Sequence, residues 1–290
     1  LLPPVTRGAD FGVVVLEQGG FTPMSGSNTM CAVAGAVEAG IVVPTGDTLD
    51  VTIDTAVGTV TAQARIEDGR VAAVTVANVP SFVVGLDLPI EVPELGTIGV
   101  DLVFGGQFFV QVAAADCGVD LDPARARELA RVGAMVKLAA QQQVPVRHPV
   151  NPGIDQITLV MLHSGPRQPD VDPRNTVVLT RDPLLATDPT TWTGILDRSP
   201  CGTGTSARMA ALHARGQLAI GEEFRHRSII DSLFVGRLVG TTEVAGTAAV
   251  LPTVTGRTWV TGRATWRLDA TDPYPTGYTL ADIWPPAPGH

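Results

Sequence analysis

Two short stretches of the chain follow one template, and each carries a side chain that could move a proton. The first reads Pro23-Met24-Ser25-Gly26-Ser27-Asn28-Thr29 and runs on through apolar residues to Gly40. The second reads Ser199-Pro200-Cys201-Gly202-Thr203-Gly204-Thr205 and runs on to Gly216. Setting Ser25 on Cys201, a spacing of 176 positions, places Gly26 on Gly202, Thr29 on Thr205, Ala34 on Ala210 and Gly40 on Gly216. Each stretch predicts a loop that turns into a helix. The first N–H groups of a helix lack partners in their own helix and, with the helix dipole, favour an anion. Glycine lets a ligand approach that backbone closely. A thiol at such a point is pushed toward thiolate. Two such helix starts facing each other would hold one carboxylate and aim Ser25 and Cys201 at the ligand from opposite sides. That suits removal of a proton next to a carboxylate, with thiolate as base and N–H donors stabilising the charge that develops. No metal and no cofactor is expected.

Taken singly, either stretch also reads as a plain helix cap, because Ser and Asn cap helices freely and a lone Cys is commonly a small buried hydrophobe. The matched spacing in both halves favours the functional reading. Neither stretch has the Gly-Lys-Ser/Thr ending of a phosphate loop. The Gly-x-Ser-x-Gly pattern of a serine hydrolase is absent, and nothing marks a partnering His.

The elements that must position these residues alternate between strand and helix patterns. Strands are expected around Val13–Leu16, Leu49–Ile53, Thr59–Ile66 and Val71–Val76, the last two joined by the hairpin signal Glu67-Asp68-Gly69-Arg70. Val100–Phe104 and Phe108–Val112 flank Gly105-Gly106 as a further hairpin. Asp122-Pro123 opens an amphipathic helix carrying Leu129, Val132 and Val136. Later strands are expected around Ile157–Met161, Asn175–Leu179, Phe234–Val239, Glu243–Leu251 and Thr258–Thr265, followed by a tail from Tyr274 to His290 with a surface strand. The fold class is α/β (α+β), with antiparallel hairpins, few helices and an internal duplication.

Composition bounds the function. The chain has 290 residues, 44% hydrophobic and only 17% charged, enough to bury a large core in one large or two medium domains. A net charge of −9 with dispersed basic residues argues against nucleic acid. No apolar run of transmembrane length occurs, and the start lacks a signal-peptide pattern. Cys31, Cys117 and Cys201 are odd in number and widely spaced, so reduced thiols in a cytoplasmic protein are expected rather than disulfides or zinc. Cys31 is expected in the core, Cys117 at a strand exit, His148 in a structural turn, and His213, on the second template helix, at the domain boundary.

The run Asp197-Arg198-Ser199-Pro200-Cys201-Gly202-Thr203-Gly204-Thr205-Ser206-Ala207 resembles the signature of the proline racemase family. That family groups proline racemases, 4-hydroxyproline 2-epimerases and trans-3-hydroxy-L-proline dehydratases. The first template resembles its other motif, usually Met-Cys-Gly-His-Gly. Further likenesses lie at Val79-Pro80-Ser81-Phe82, Phe104-Gly105-Gly106-Gln107-Phe108-Phe109, His148-Pro149-Val150-Asn151-Pro152, Thr255-Gly256-Arg257 and Thr261-Gly262. The resemblance implies the fold of diaminopimelate epimerase: two pseudo-symmetric domains, each a mixed, largely antiparallel sheet wrapped around a central helix. The first would span residues 1–98 and 265–290, with part of its N-terminal side absent, and the second residues 99–264. It implies Cys201 and Ser25 as the catalytic pair and Asp197 on the substrate ring nitrogen. Gly26, Asn28, Gly202 and Thr203 would offer backbone groups to the carboxylate. Ser27 takes the substrate-binding position where the family often has His. The partner is a small molecule, proline or hydroxyproline, and relatives are often dimers.

Ser25 stands where racemases have Cys. A hydroxyl is a far weaker acid than a thiol, so its alkoxide is a poor resting base. The expectation is therefore dehydration of trans-3-hydroxy-L-proline, with Cys201 as base and Ser25 assisting the leaving hydroxyl. The alternative is 4-hydroxyproline 2-epimerisation, or weak proline racemisation. A more remote alternative is a silent binder of proline-like amino acids.

Overall fold

The structure, a computed structural model, describes residues 1–277 apart from 18, 19, 23, 57, 169, 181, 182, 266 and 276. Three α-helices organise it: α1 (Gly26–Glu38), α2 (Ala126–Gln143) and α3 (Gly202–Ala214). Both template helices form where their sequences place them. They keep the repeat to the last hydrogen bond. α1 ends with Ala39 N–H donating to Gly35 O, Gly40 N–H to Val37 O and Ile41 N–H to Ala36 O. α3 ends with Arg215 to Ala211, Gly216 to His213 and Gln217 to Leu212. Gly40 and Gly216 take positive φ, 71° and 68°, the left-handed stop that favours glycine. Among the described residues, no helix is long and apolar enough to cross a membrane.

Among the described residues, thirteen strands share one sheet. Its path runs Phe11–Gly12, Thr48–Thr55, Gly58–Glu67, Arg70–Ala77, Thr247–Gly256, Leu233–Val244, Glu223–Ser228, Arg174–Thr180, Ile157–His163, Phe108–Ala113, Gly96–Phe104 and Phe82–Val92, with Gly194–Leu196 beside Arg174–Thr180. Neighbours are mostly antiparallel; Phe11–Gly12 with Thr48–Thr55, Phe108–Ala113 with Ile157–His163 and Arg174–Thr180 with Glu223–Ser228 are parallel. The later part of the path curls until Ser81 and Val250 exchange backbone hydrogen bonds of 2.9 and 2.8 Å. That closure puts α3 inside: it packs on strands from both flanks of the path, and Gly202 to Leu212 are all buried. α2 packs on the other face of Phe82–Val92, Phe108–Ala113, Ile157–His163 and Arg174–Thr180, while α1 packs on Gly58–Glu67, Arg70–Ala77 and Thr247–Gly256.

A sheet covered on both faces needs apolar residues at consecutive positions, and this explains the apolar runs in the sequence. Phe109, Met161 and Val177 face the core that holds α3. Their neighbours Phe108, Val110, Val160, Leu162 and Val178 face the core that holds α2. The Gly105-Gly106 turn presses on α3. A methyl added at Gly105 would overlap the Thr203 carbonyl oxygen and sit 2.7 Å from Ala207 N. Gly105→Ala is therefore expected to cost about 3 kcal/mol or more, since backbone cannot step aside as a side chain can. Denaturant unfolding of the variant checks this.

Several sequence expectations need correction. Glu243–Leu251 is not one strand but the two arms of a hairpin, because Ala245 and Gly246 both take positive φ (48° and 83°), the geometry of a tight hairpin turn. Thr258–Thr265 forms no strand, and around Val13–Leu16 the pairing covers Val15–Glu17. Asp122 caps a short 3-10 turn, Pro123–Arg125, and α2 starts after it. Cys31 is exposed rather than core, because the buried positions Met30, Val33, Ala34 and Ala36 turn the opposite face of α1 inward. Phe82–Val92 and Glu223–Ser228 are strands with no clear sequence signal. In the tail, the described residues Tyr274, Pro275 and Gly277 form no strand, and 278–290 lie outside the described residues.

Candidate active site

Ser25 and Cys201 are the N-cap residues of α1 and α3, and both are buried, at 9% and 8% exposure. The two helix starts meet backbone to backbone. A methyl on Gly26 would sit 3.0 Å from Gly202 Cα, and one on Gly202 would sit 2.9 Å from Gly26 Cα. Glycine is required there because no side chain fits between the helices. The N–H groups of Gly26, Ser27, Gly202 and Thr203 open their helices without a carbonyl partner inside them, so two positive dipole ends converge on one point. A cavity of about 320 Å³ lies at this point. Ser25, Gly26, Ser27, Gln107, Asp197, Arg198, Cys201, Gly202 and Thr203 line it, together with an apolar wall of Leu159, Val177, Leu179, Ile195 and Leu196.

The template looks symmetrical in sequence, but the backbone is not. Ser25 is extended (φ −143°, ψ 115°), whereas Cys201 takes φ 62° and ψ 116°. For a residue with a Cβ that conformation costs on the order of 1–3 kcal/mol and persists only where neighbours enforce it. The neighbours are present. Ser199 N–H donates to Asp197 Oδ1 at 2.8 Å, and Cys201 N–H donates to Ser199 Oγ at 3.1 Å. From below, buried Thr205 donates from Oγ1 to the Pro200 carbonyl at 3.2 Å. The result leans the thiol over its own helix, where Gly204 N–H donates to Cys201 Sγ at 3.4 Å. Thr29, the counterpart of Thr205, donates from Oγ1 to Ser25 O at 2.8 Å.

The profile of the proline racemase family matches residues 1–279. The chain belongs to that family. Among family members, the 4-hydroxyproline 2-epimerase of Streptosporangium roseum is 40% identical over 280 residues, covering 97% of this chain and 80% of the relative. The crystal structure of a hydroxyproline epimerase from Agrobacterium vitis with bound trans-4-hydroxy-L-proline superposes with a TM-score of 0.85 at 37% identity, over 99% of this chain and 78% of that one. A phenazine biosynthesis protein of the PhzF family from Bacillus anthracis aligns at 11% identity and TM-score 0.53, over 87% of this chain and 79% of that one, and shares the fold alone. The fold is the diaminopimelate epimerase-like one that the sequence of this proline racemase family member implies.

The cavity gathers seven of the eight sequence-derived site residues: Ser25, Gly26, Ser27, Asp197, Cys201, Gly202 and Thr203. Asn28 is not on its wall; its amide Nδ2 donates to Ser25 Oγ at 2.9 Å. Sequence reasoning missed two residues. Gln107 lines the cavity from the Gly105-Gly106 turn, donating to Met24 O at 3.5 Å and accepting from Thr158 Oγ1 at 3.0 Å. A glutamine beside a turn carries no chemical signature, although it stood in a family motif. His226 lies behind the Cys201 loop, with Nδ1 3.0 Å from Thr205 Oγ1 and Nε2 2.9 Å from Asn175 Nδ2. Since Thr205 donates to Pro200 O, a consistent network has His226 Nδ1–H donating to Thr205 and Nε2 accepting from Asn175.

Complete burial, and next the charge of Arg208, push the His226 pKa down to about 3, so the ring is neutral. An unfolded histidine binds its proton below about pH 6.5. Between that value and about 3 the unfolded chain therefore holds a proton that the folded chain does not. Stability falls as pH drops through this window, by up to about 1.4 kcal/mol per unit from this one group. His226→Gln is expected to flatten the acid side of a plot of unfolding free energy against pH. An unchanged slope would contradict the buried neutral ring. Of the other residues singled out in the sequence, Cys117 ends the 3-10 turn after Phe108–Ala113, and burial pushes its thiol up to about 12. His148 Nδ1 accepts from Val150 and Asn151 N–H in a turn. His213 pairs with the Leu218 carbonyl at the end of α3.

Proposed function

We propose that this chain is a 4-hydroxyproline 2-epimerase, with Cys201 and Ser25 as the proton carriers on the two faces of the substrate Cα. The observation that carries the reading is the meeting of the two helix starts at Gly26 and Gly202, which puts a thiol and a hydroxyl on one anion seat. A seat with converging N–H donors takes the carboxylate. Asp197 accepts the ring nitrogen, and the apolar wall takes the ring. The Cys201 thiolate removes the α-proton: the C–H bond breaks, an S–H bond forms, and the electron pair spreads into the carboxylate, where the helix N–H groups stabilise it. Ser25 O–H then delivers a proton to the opposite face. Exchange with water returns both groups to their starting state.

The dehydration of trans-3-hydroxy-L-proline expected from the weak acidity of Ser25 gives way here. Low acidity is a handicap for a base. It is a small one for an acid whose acceptor is an α-carbanion, a far stronger base than an alkoxide. The relatives at about 40% identity named above support epimerisation. Incubation with trans-4-hydroxy-L-proline in heavy water is expected to give the 2-epimer with deuterium at Cα. Absence of epimer, with pyrroline-carboxylate appearing from trans-3-hydroxy-L-proline, would overturn the reading in favour of the dehydratase.

A further inference from the structure

The two template halves activate their side chains by different means. In the α3 half, the group three residues after the proton carrier is Gly204, and its backbone N–H donates to Cys201 Sγ. In the α1 half, the equivalent position is Asn28, and its side-chain amide donates to Ser25 Oγ at 2.9 Å. The difference follows from the backbone. Cys201, at φ 62°, caps its own helix with Sγ; Ser25, at φ −143°, does not take that cap geometry. The donor that meets its hydroxyl comes instead from a side chain long enough to reach it, that of Asn28.

We propose that Asn28 is a positioning residue for epimerisation, its amide doing for Ser25 Oγ what the Gly204 N–H does for Cys201 Sγ. This rests on the epimerase reading of the site. The donated hydrogen bond occupies one lone pair of Oγ and fixes the rotamer of Ser25. When that proton has left for carbon, the amide faces an alkoxide, and a bond to a charged acceptor is about twice as strong as one to a neutral hydroxyl. The gain is thus made in the transition state rather than in the resting enzyme. A thiolate, being soft and far less basic, needs it less.

The test is a two-by-two set: the natural pair, Asn28→Gly, Ser25→Cys, and Ser25→Cys with Asn28→Gly, each assayed for epimerisation of trans-4-hydroxy-L-proline and for its melting temperature. Asn28→Gly is expected to lower kcat/KM about 10- to 100-fold beside Ser25, the range for a hydrogen bond to a charged group. In the Ser25→Cys background the same change is expected to cost less than about threefold. Equal losses in both backgrounds would mean a merely structural role and would overturn the proposal. Asn28→Ala, which favours helix, repeats the test where the glycine variant folds poorly. An unsubstituted chain that fails to epimerise would sink the epimerase reading itself; an active one indifferent to Asn28 would sink only this inference.

Discussion

Cys201→Ser is expected to abolish both epimerisation and α-deuterium exchange, a loss of at least about 10³-fold, within the range for removal of a general base. The substitution exchanges one heavy atom and keeps the hydrogen-bonding pattern of the cap. It also leaves untouched the neighbours that hold φ at 62°, namely the Asp197–Ser199 turn and the Thr205–His226 pair. What it removes is the thiolate. A serine at this place would leave two hydroxyls on the two faces of Cα, and neither proton carrier could rest as an anion near neutral pH. Chiral chromatography and proton NMR in heavy water measure the two activities, and thermal melting should show an unchanged fold. Turnover within tenfold of the natural chain would show that the base lies elsewhere. The reciprocal change, Ser25→Cys, is expected to gain epimerase activity, because a thiol serves as either acid or base.

Gly26→Ala and Gly202→Ala are expected to lower kcat/KM by about 100-fold or more, for a geometric reason. Each methyl would be aimed at the opposing glycine, 3.0 and 2.9 Å from its Cα. No side chain there can rotate away, so the helix starts must separate. Misplacement of that order moves the converging N–H groups off the carboxylate and the two proton carriers off Cα. The stability cost is expected to be smaller, about 1–3 kcal/mol. The signature is thus a well-folded protein with a raised KM and a lowered kcat. Wild-type kinetics in either variant would mean that the close approach is not needed for the reaction.

Much of the site was legible in the chain because it is local. A Ser or Cys before a Gly, a Thr four residues after it, an apolar run and a stopping glycine make a capped helix under rules that act over one or two turns. Those rules set where α1 and α3 start and held at their matched C-terminal hydrogen bonds, while the side-chain cap forms only in α3. Hairpins with strong turn residues, such as Asp68-Gly69, were legible on the same ground. Phe82–Val92 was not, because register shifts interrupt its pairing and Gly85, Asp87 and Pro89 break its pattern. Cys31 was misjudged because an apolar helix gives a weak indication of which face is covered.

The sequence by itself determined the residue types at the site, the two helix starts, their 176-residue repeat and the family they belong to. Tertiary structure alone decided that the two starts touch at Gly26 and Gly202, since contact between segments so far apart in the chain depends on the whole sheet curling around α3. It also decided that the halves are unequal. Cys201 is held at positive φ by the Asp197–Ser199 turn and by Thr205, which His226 and Asn175 back from two other segments. Ser25 stays extended and borrows its donor from Asn28. Local propensity sets what each residue offers, and only long-range packing fixes the direction in which it is offered.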